Sequence, residues 1–252
     1  MSKQPTKNIK MRIAYEGTRY LGWQRLGKGS EEKSIQGILE SVLSEVAESE
    51  VRLIGSGRTD AGVHALGQVA NCQIPKAYPL EKLLKETNRR LPEDIQIVQL
   101  EEVDPAFHSR FDAKEKVYEY RIDVRAVPNV FTRTLCLPVQ VPLDVANMKA
   151  AARFLEGTHD FSGYASAMPD GRGTIKTVKR IDFLEREGEL CLRFTGDGFL
   201  YNMVRIMVGT LLEVGKGTRS VESVKIPLLT RNRQDAGPTI SGIGLFLSNV
   251  VY

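Results

Sequence analysis

Apolar and polar positions alternate in several short segments of the chain, as they do in strands that bury one face. The clearest case is the segment VYEYRIDV, in which Tyr118, Tyr120, Ile122 and Val124 fall on one face and the residues between them are charged. The pattern predicts strands over residues 9–15, 51–54, 68–74, 95–103, 118–124, 174–184, 189–195 and 242–250.

Helical spacing of apolar residues separates these strands. Ser34 is a suitable N-cap for a helix whose apolar positions recur at i, i+3, i+4 and i+7 from Ile35 to Val46. Further helices are predicted over residues 79–91, 143–156 and 199–214, and the last of these is the most apolar.

The order of these elements predicts an α+β fold with a mainly antiparallel sheet, because the strands are not spaced for a simple βαβ series. Strands surround helices in a similar order in each half, which hints at an internal duplication. No linker of distinct composition divides the chain, and the boundary is placed between residues 107 and 108. The predicted domains are therefore 1–107 and 108–252.

Composition and charge narrow the class of protein. The chain has 252 residues, of which 42% are hydrophobic and 26% charged, and a net charge of +4 permits an anionic partner without requiring one. Three dispersed cysteines and three histidines show no ligand spacing, so no metal site is expected. The N-terminal residues have no signal-peptide pattern and no apolar run could span a membrane, so a cytoplasmic protein is expected.

The segment from Gly55 to Ala65, GSGRTDAGVHA, contains polar groups between glycines that allow close backbone approach. It is either a turn in which Asp60 caps its own backbone, or a loop that presents Arg58 and Asp60 to a ligand. His64 and His108 are expected to stabilise loops through hydrogen bonds. An earlier loop places Gln24, Arg25 and Lys28 after Trp23, where they could contact nucleic acid. Trp23 itself is expected to anchor that loop in the core.

Arg205 lies on the apolar helix, on the same side as Asn202 and Gly209. Burying an unpaired guanidinium is prohibitive, so either Arg205 has a partner or this side of the helix is exposed. An ion pair with Asp60, for example, would keep that carboxylate ionised. Tyr118 lies on the apolar face of its strand, which by itself favours a buried core tyrosine.

Five motifs together resemble the tRNA pseudouridine synthases of the TruA type. They are YEGTRYLGWQR, GRTDAGVHA, FHSRFDAKEKVYEY, THDF and GDGFLYNMVRIMVGTLLEVGKG, in this order along nearly the whole chain. The sequence departs from the family at Lys116, where arginine is usual, and at Ile240, Ser241 and Ile243 near the end. The loop over residues 162–173 is also poorly matched.

The resemblance implies a pseudouridine-synthase fold of two related halves that share the sheet, with a basic central cleft. It implies a homodimer that isomerises uridine to pseudouridine in the anticodon stem-loop of tRNA, at positions 38, 39 and 40, without a cofactor or metal. A tRNA-binding protein without catalysis and a carboxylate-dependent hydrolase are the alternatives.

The resemblance also assigns roles to individual residues. Asp60 is implied as the nucleophile, adding to the ribose C1′ or the uracil C6, and Arg205 as its cationic partner. Tyr118 is implied to stack on the target base and Leu245 to line the pocket wall. Arg58 would fill the place of the extruded base, because a stacked uridine must be flipped out before it reacts. Gln24, Arg25 and Arg110 are candidate RNA contacts.

Overall fold

A computed structural model describes residues 5–25, 27, 33–166 and 173–252, and Lys28 lies outside these ranges. Within them the chain forms ten strands: β1 (Thr6–Tyr15), β2 (Ile54–Gly55), β3 (His64–Pro75), β4 (Ile95–Val103), β5 (Glu115–Asp123), β6 (Leu137–Pro138), β7 (Gly157–Asp160), β8 (Ile175–Arg186), β9 (Glu189–Gly196) and β10 (Leu245–Val251). The five α-helices are α1 (Ile35–Ala47), α2 (Leu80–Arg90), α3 (Val145–Ala152), α4 (Met203–Gly215) and α5 (Ile226–Thr230).

The chain divides into two compact units. The first comprises Met1–Lys114 together with Leu247–Tyr252, and the second comprises Glu115–Phe246. The last strand, β10, therefore begins in the second unit and ends in the first. The chain passes from the first unit to the second between residues 114 and 115, whereas the sequence pattern placed a domain boundary between 107 and 108.

In the first unit the strand order is β4-β1-β3-β10, with β2 beside β3. β1 pairs antiparallel with β3 and with β4, and its alternation puts Ile9, Met11 and Ile13 fully inside the core. The N-cap of α1 is Ser34, whose hydroxyl accepts a hydrogen bond from the Gly37 amide at 3.2 Å. The predicted strand pattern and capping residue thus form as expected.

In the second unit the strand order is β5-β9-β8-β7, with the short β6 beside β5. The β8–β9 hairpin turns at Gly188, where φ is +71°, a value that favours glycine. Eleven of the thirteen residues of α4 are buried, so this helix needs a largely apolar sequence. Among the strand pairs with a stated register only β5–β6 is parallel, and the predicted α+β class is confirmed.

Element ends differ from the sequence pattern for local reasons. Helix α4 begins at Met203 and not at residue 199, because Asn202 has a left-handed backbone with φ of 61° that cannot continue a helix. Strand β10 begins at Leu245 and not at residue 242, because Gly242–Gly244 form a 3₁₀ turn capped by the Ser241 hydroxyl. The predicted strand at 51–54 is reduced to Ile54–Gly55.

In the part of the chain that the structure describes, no helix is long and apolar enough to cross a membrane.

A buried carboxylate stabilises the end of β5. Asp123 accepts hydrogen bonds from the Arg125 side chain at 2.8 and 3.0 Å and from the Asn129 amide at 2.9 Å. These bonds, chiefly those from the guanidinium, lower the pKa of the Asp123 carboxyl to about 2. A carboxyl whose pKa falls on folding stabilises the native state above its unfolded pKa.

We therefore expect the free energy of unfolding to fall as the pH is lowered from about 4 towards 2, when Asp123 takes up its proton. Asp123→Asn should lower that free energy by roughly 1–2 kcal/mol at pH 7 and by much less near pH 2. Urea unfolding at both pH values measures this difference. Glu50→Gln, which removes an exposed ion pair with Arg52, is the control and should cost under about 1 kcal/mol. An equal loss for Asp123→Asn at both pH values would contradict the assignment.

Candidate functional site

The buried side chain of Gln68 holds the first part of the loop from Gly55 to Ala65. The Ser56 backbone amide donates to the Val69 carbonyl at 2.7 Å, and the Ser56 hydroxyl donates to the Gln68 side chain at 2.8 Å. The same Gln68 side chain donates to the Gly57 carbonyl at 3.1 Å. Ser56 and Gln68 are fully buried, so both backbone and side-chain bonds fix the chain just before Arg58.

Thr59 is the anchor at the centre of the loop. Its carbonyl accepts a hydrogen bond from the Trp23 amide at 3.0 Å, and its hydroxyl lies 2.7 Å from the hydroxyl of Tyr15. Burial raises the pKa of the Tyr15 hydroxyl, which keeps it protonated and able to serve as a hydrogen-bond partner. Trp23 is buried, as expected for a residue that anchors its loop.

Gly22 allows the two loops to approach closely. Its φ is +101°, and a Cβ at this position would lie 2.5 Å from the Thr59 carbonyl oxygen and 2.9 Å from the Asp60 carbonyl carbon. Any larger residue would therefore displace the backbone that carries Asp60.

Asp60 follows Thr59 and is half-buried, whereas Arg58 is exposed. The Asp60 carbonyl accepts a hydrogen bond from the Val63 amide at 3.1 Å, which closes the turn through Gly62, where φ is +74°. A fixed backbone thus presents a carboxylate at a position that is only partly screened from solvent.

His64 ends the loop as a buried hydrogen-bond acceptor. Its Nδ1 accepts from the Gly17 amide at 2.9 Å. Because that nitrogen uses its lone pair, the 3.9 Å approach of the Glu16 carboxylate to it is not an ion pair. His108 accepts backbone amides through its own Nδ1. The predicted loop-stabilising role of both histidines is confirmed.

The predicted RNA-contacting residues of the first unit lie on two loops. Gln24 and Arg25 are half-buried and follow Trp23, so they share the loop that contacts Thr59. The guanidinium of Arg25 is 3.9 Å from the carboxylate of Glu40. Arg110 is exposed and lies on a separate loop, after β4.

Arg205 is oriented by two hydrogen bonds within the second unit. Its Nε donates to the Ile240 carbonyl at 2.7 Å, and its Nη1 donates to the Asn202 side-chain oxygen at 2.7 Å. The left-handed backbone of Asn202 places this amide at the first turn of α4, in reach of Arg205. Because Nε and Nη1 both donate to acceptors that are themselves held in place, the plane of the Arg205 guanidinium is fixed.

Tyr118 and Leu245 are both buried residues of the second unit, on β5 and at the start of β10. Tyr118 is 8% exposed and packs edge-to-face on Phe199, with ring centroids 5.2 Å apart. Two residues along β5, the buried Tyr120 donates to the Ser241 carbonyl at 2.7 Å, which confirms Tyr120 as a core residue. Leu245 is buried four residues after Ser241.

The segment from Pro238 to Ser241 therefore connects α4 to β5. A Cβ on Gly209 would lie 2.0 Å from the Pro238 carbonyl oxygen, so only glycine lets this segment lie against the helix. Ile240 is one of the departures from the family pattern, yet it holds Arg205 through its carbonyl. The contact thus depends on backbone position rather than on the side chain of residue 240.

The sequence reading placed Asp60, Tyr118 and Arg205 at the site but missed several supporting residues. Tyr15 and Thr59 in the first unit, and Phe199 in the second, were not singled out. Asn202 was noted on the helix without its contact to Arg205. All four lie inside the motifs quoted for the resemblance, and that was the available signal.

None of the contacts described above involves a cysteine. The three cysteines are free and buried, and burial raises the pKa of the Cys72 thiol to about 12. Among the described residues, no three histidine, cysteine or acidic side chains form a group that could hold a metal ion.

Two α+β units, one with an aspartate on a glycine-bounded loop and one with an arginine at a helix start, have the organisation expected of a pseudouridine synthase. A family model described as tRNA pseudouridine synthase matches residues 11–112 and 151–252. The chain therefore belongs to the tRNA pseudouridine synthase family, and the resemblance to its TruA members is confirmed. Its predicted class, an isomerase acting on tRNA uridine, is confirmed with it.

Similar proteins match over almost their full lengths. The tRNA pseudouridine synthase A of Bacillus sp. (strain KSM-64) is 42% identical over 245 residues, which cover 97% of this chain and 99% of that protein. The protein of the same name from Geobacillus sp. (strain WCH70) is 41% identical over 249 residues, 98% of this chain and 99% of that one. A solved archaeal Nop10–Cbf5 complex gives a TM-score of 0.36 at 11% identity, over 92% of this chain and 60% of that one. That likeness is too weak to carry an argument.

Gly22→Ala should displace Thr59 and Asp60, because its Cβ has no space beside their backbone. We expect pseudouridine formation to fall at least tenfold, since small displacements of reacting groups are costly. Gly27→Ala is the matched control: its φ is +129°, yet a Cβ there meets no atom of the described residues within 4 Å. Initial rates on tRNA transcripts and thermal unfolding measure both effects. Equal loss of activity in the two variants would show that backbone strain alone is responsible.

Asn202→Gly separates the backbone role of Asn202 from its side-chain role. Glycine accepts the left-handed backbone but removes the oxygen that holds Arg205. We expect stability to change by less than about 1 kcal/mol, while the turnover number falls roughly tenfold. Glu48→Gly, at a left-handed position that ends α1, is the control and should keep full activity. Unchanged turnover in Asn202→Gly would exclude this role of the amide.

Proposed function

We propose that this protein converts uridine to pseudouridine in the anticodon stem-loop of tRNA, at positions 38, 39 and 40, with Asp60 as nucleophile. The observation that carries the proposal is the loop of the first unit, in which buried neighbours on both sides fix a half-buried aspartate. Gln68 and Tyr15 hold Ser56 and Thr59 through hydrogen bonds within the core. Rigid support of this kind suits a group that must attack at a defined geometry.

The reaction rearranges the nucleotide without adding or removing an atom. The bond from N1 of uracil to C1′ of ribose breaks, and a bond from C5 to C1′ forms. The proton on C5 is lost and N1 gains one, so the product is an isomer of the substrate. A carboxylate suits this chemistry because it can add covalently and leave again. The assignment of Asp60 is the same whether it adds to C1′ or to C6.

Arg205 and Tyr118 complete the proposed catalytic set from the second unit. Arg205 supplies the positive charge that keeps the aspartate ionised, and the bonds from Asn202 and Ile240 support a fixed direction for that charge. Tyr118 stacks on the target uracil and assists removal of the C5 proton. The edge-to-face contact with Phe199 holds the Tyr118 ring in place. The ion pair between Asp60 and Arg205 stays a prediction.

The remaining residues bind and hold the RNA. Arg58 is exposed beside Asp60 and occupies the space that the flipped uridine leaves. Leu245 packs against the uracil as part of the pocket wall. Gln24, Arg25 and Arg110 contact the RNA backbone, to which arginine and amide side chains commonly donate. We further propose that the protein acts in the cytoplasm as a homodimer, as the family resemblance implies.

Asp60→Asn should abolish turnover while it leaves folding and tRNA binding intact. The amide is nearly the same size as the carboxylate but cannot act as the nucleophile. The measurement is incubation with an unmodified tRNA transcript, followed by mapping of pseudouridine at each position and by a separate binding titration. Glu93→Gln, which neutralises an exposed carboxylate of the same unit, is the control and should react like the wild type.

Two outcomes would contradict the proposal. Pseudouridine outside positions 38, 39 and 40 would refute the proposed site on the RNA. Binding of tRNA by the wild type with no product at any position would indicate an RNA-binding protein without catalysis.

A further inference from the structure

An exposed aromatic side chain stands beside Arg110 on the loop from Asp104 to Asp112, here called the Phe111 loop. Phe111 is 75% exposed. The loop lies in the first unit, which also carries Asp60. Single exposed apolar residues are common on protein surfaces, so the contacts that hold this loop are the relevant observation.

The tip of the Phe111 loop is rigid. The imidazole of His108 stacks on the ring of Phe111, with centroids 4.2 Å apart and an interplanar angle of 30°. The His108 Nδ1 accepts hydrogen bonds from the backbone amides of Arg110 and Phe111, at 3.2 and 3.3 Å. The carboxylate of Asp112 accepts the amide of His108 at 2.8 Å. These bonds fix the backbone at the tip of the loop, and the stacked imidazole supports one face of the exposed ring.

A buried polar network fixes the base of the loop. Both the amide and the hydroxyl of Ser109 donate to the side-chain oxygen of Asn71, at 2.9 and 2.8 Å. Asn71 donates in turn to Asn8 at 3.0 Å, and Asn8 donates to the carbonyls of Asp104 and Phe107. Asn8, Asn71 and Ser109 are all buried. Buried networks whose members are satisfied hold one geometry.

Tyr252 holds the base of the Phe111 loop from the C-terminal end of the chain. Its hydroxyl donates to the Ser109 carbonyl at 2.7 Å. Burial raises the pKa of the Tyr252 hydroxyl, so it remains a donor. Tyr252 and the Phe111 loop both belong to the first unit, which also carries Asp60.

We propose that Phe111 stacks on an unpaired nucleobase of the bound tRNA. The inference rests on the proposed function, because it concerns the same substrate. A flat apolar ring beside a guanidinium offers a base both a stacking surface and a cation for the adjoining phosphate. Single-stranded loops present such unstacked bases to proteins. Phe111 is thus a substrate-positioning residue that the sequence reading did not assign.

The test compares variants of Phe111 in the Asp60→Asn background, in which binding is measured without turnover. The probe is an unmodified tRNA transcript at fixed salt. Phe111→Ala should raise Kd roughly tenfold to a hundredfold, from the usual effect of losing one stacked base. Phe111→Leu, which keeps the apolar volume but loses the flat ring, should raise Kd nearly as much, and Phe111→Tyr should stay within about twofold. Phe131→Ala, at an 86% exposed phenylalanine of the second unit, is the matched control and should not change Kd.

Thermal unfolding and sedimentation of each variant accompany the titrations. Unchanged Kd in Phe111→Ala would overturn the inference, as would equal binding by the leucine variant and the wild type. A change from dimer to monomer in Phe111→Ala would instead assign the ring to an interface between protein copies. The proposed function fails separately, if the wild type with intact Asp60 makes no pseudouridine in the same transcript.

Discussion

The close contact of Gly22 with the backbone of Thr59 and Asp60 is the constraint on which the first unit's site depends. A reactive carboxylate cannot be immobilised by burying it, because burial would raise its pKa and shield it from the substrate. The alternative is to hold its neighbours. Here Thr59 is held by Trp23 and Tyr15 in the core, and a glycine is needed where the loops meet because no side chain fits.

In the second unit a positively charged side chain, that of Arg205, is likewise held in place by its neighbours. Arg205 is half-buried on an otherwise apolar helix, where an unsupported charge would be destabilising. Arg205 donates to the side chain of Asn202, which has a left-handed backbone at the start of α4. It also donates to the Ile240 carbonyl, in the segment that lies against the helix. Because that carbonyl belongs to the backbone, the side chain at position 240 is free to differ from the family pattern while the contact is kept.

Much of the fold and part of the site could be predicted from the sequence, and the features that could not be predicted have physical causes. The class of fold, most helices and strands, and the two histidine roles followed from periodicity and local chemistry. The start of α4 could not be predicted from apolar spacing, because the left-handed backbone of Asn202 carries no apolar signal. Nor could Tyr15 be connected to Thr59, since a contact across 44 positions depends on how the strands pair. Asp60 was predicted only because its motif was recognisable.

The proposed role of Phe111 would extend the same design from the proposed nucleophile to substrate binding. In each place an exposed or half-exposed functional side chain stands on buried polar groups that are fully hydrogen-bonded: Thr59 beneath Asp60, and Ser109 with Asn71 beneath Phe111. Such supports cost stability when any member is lost, because an unpaired polar group remains in the core. Both loops belong to the first unit, so with the proposed roles a base bound at Phe111 would fix the RNA relative to Asp60.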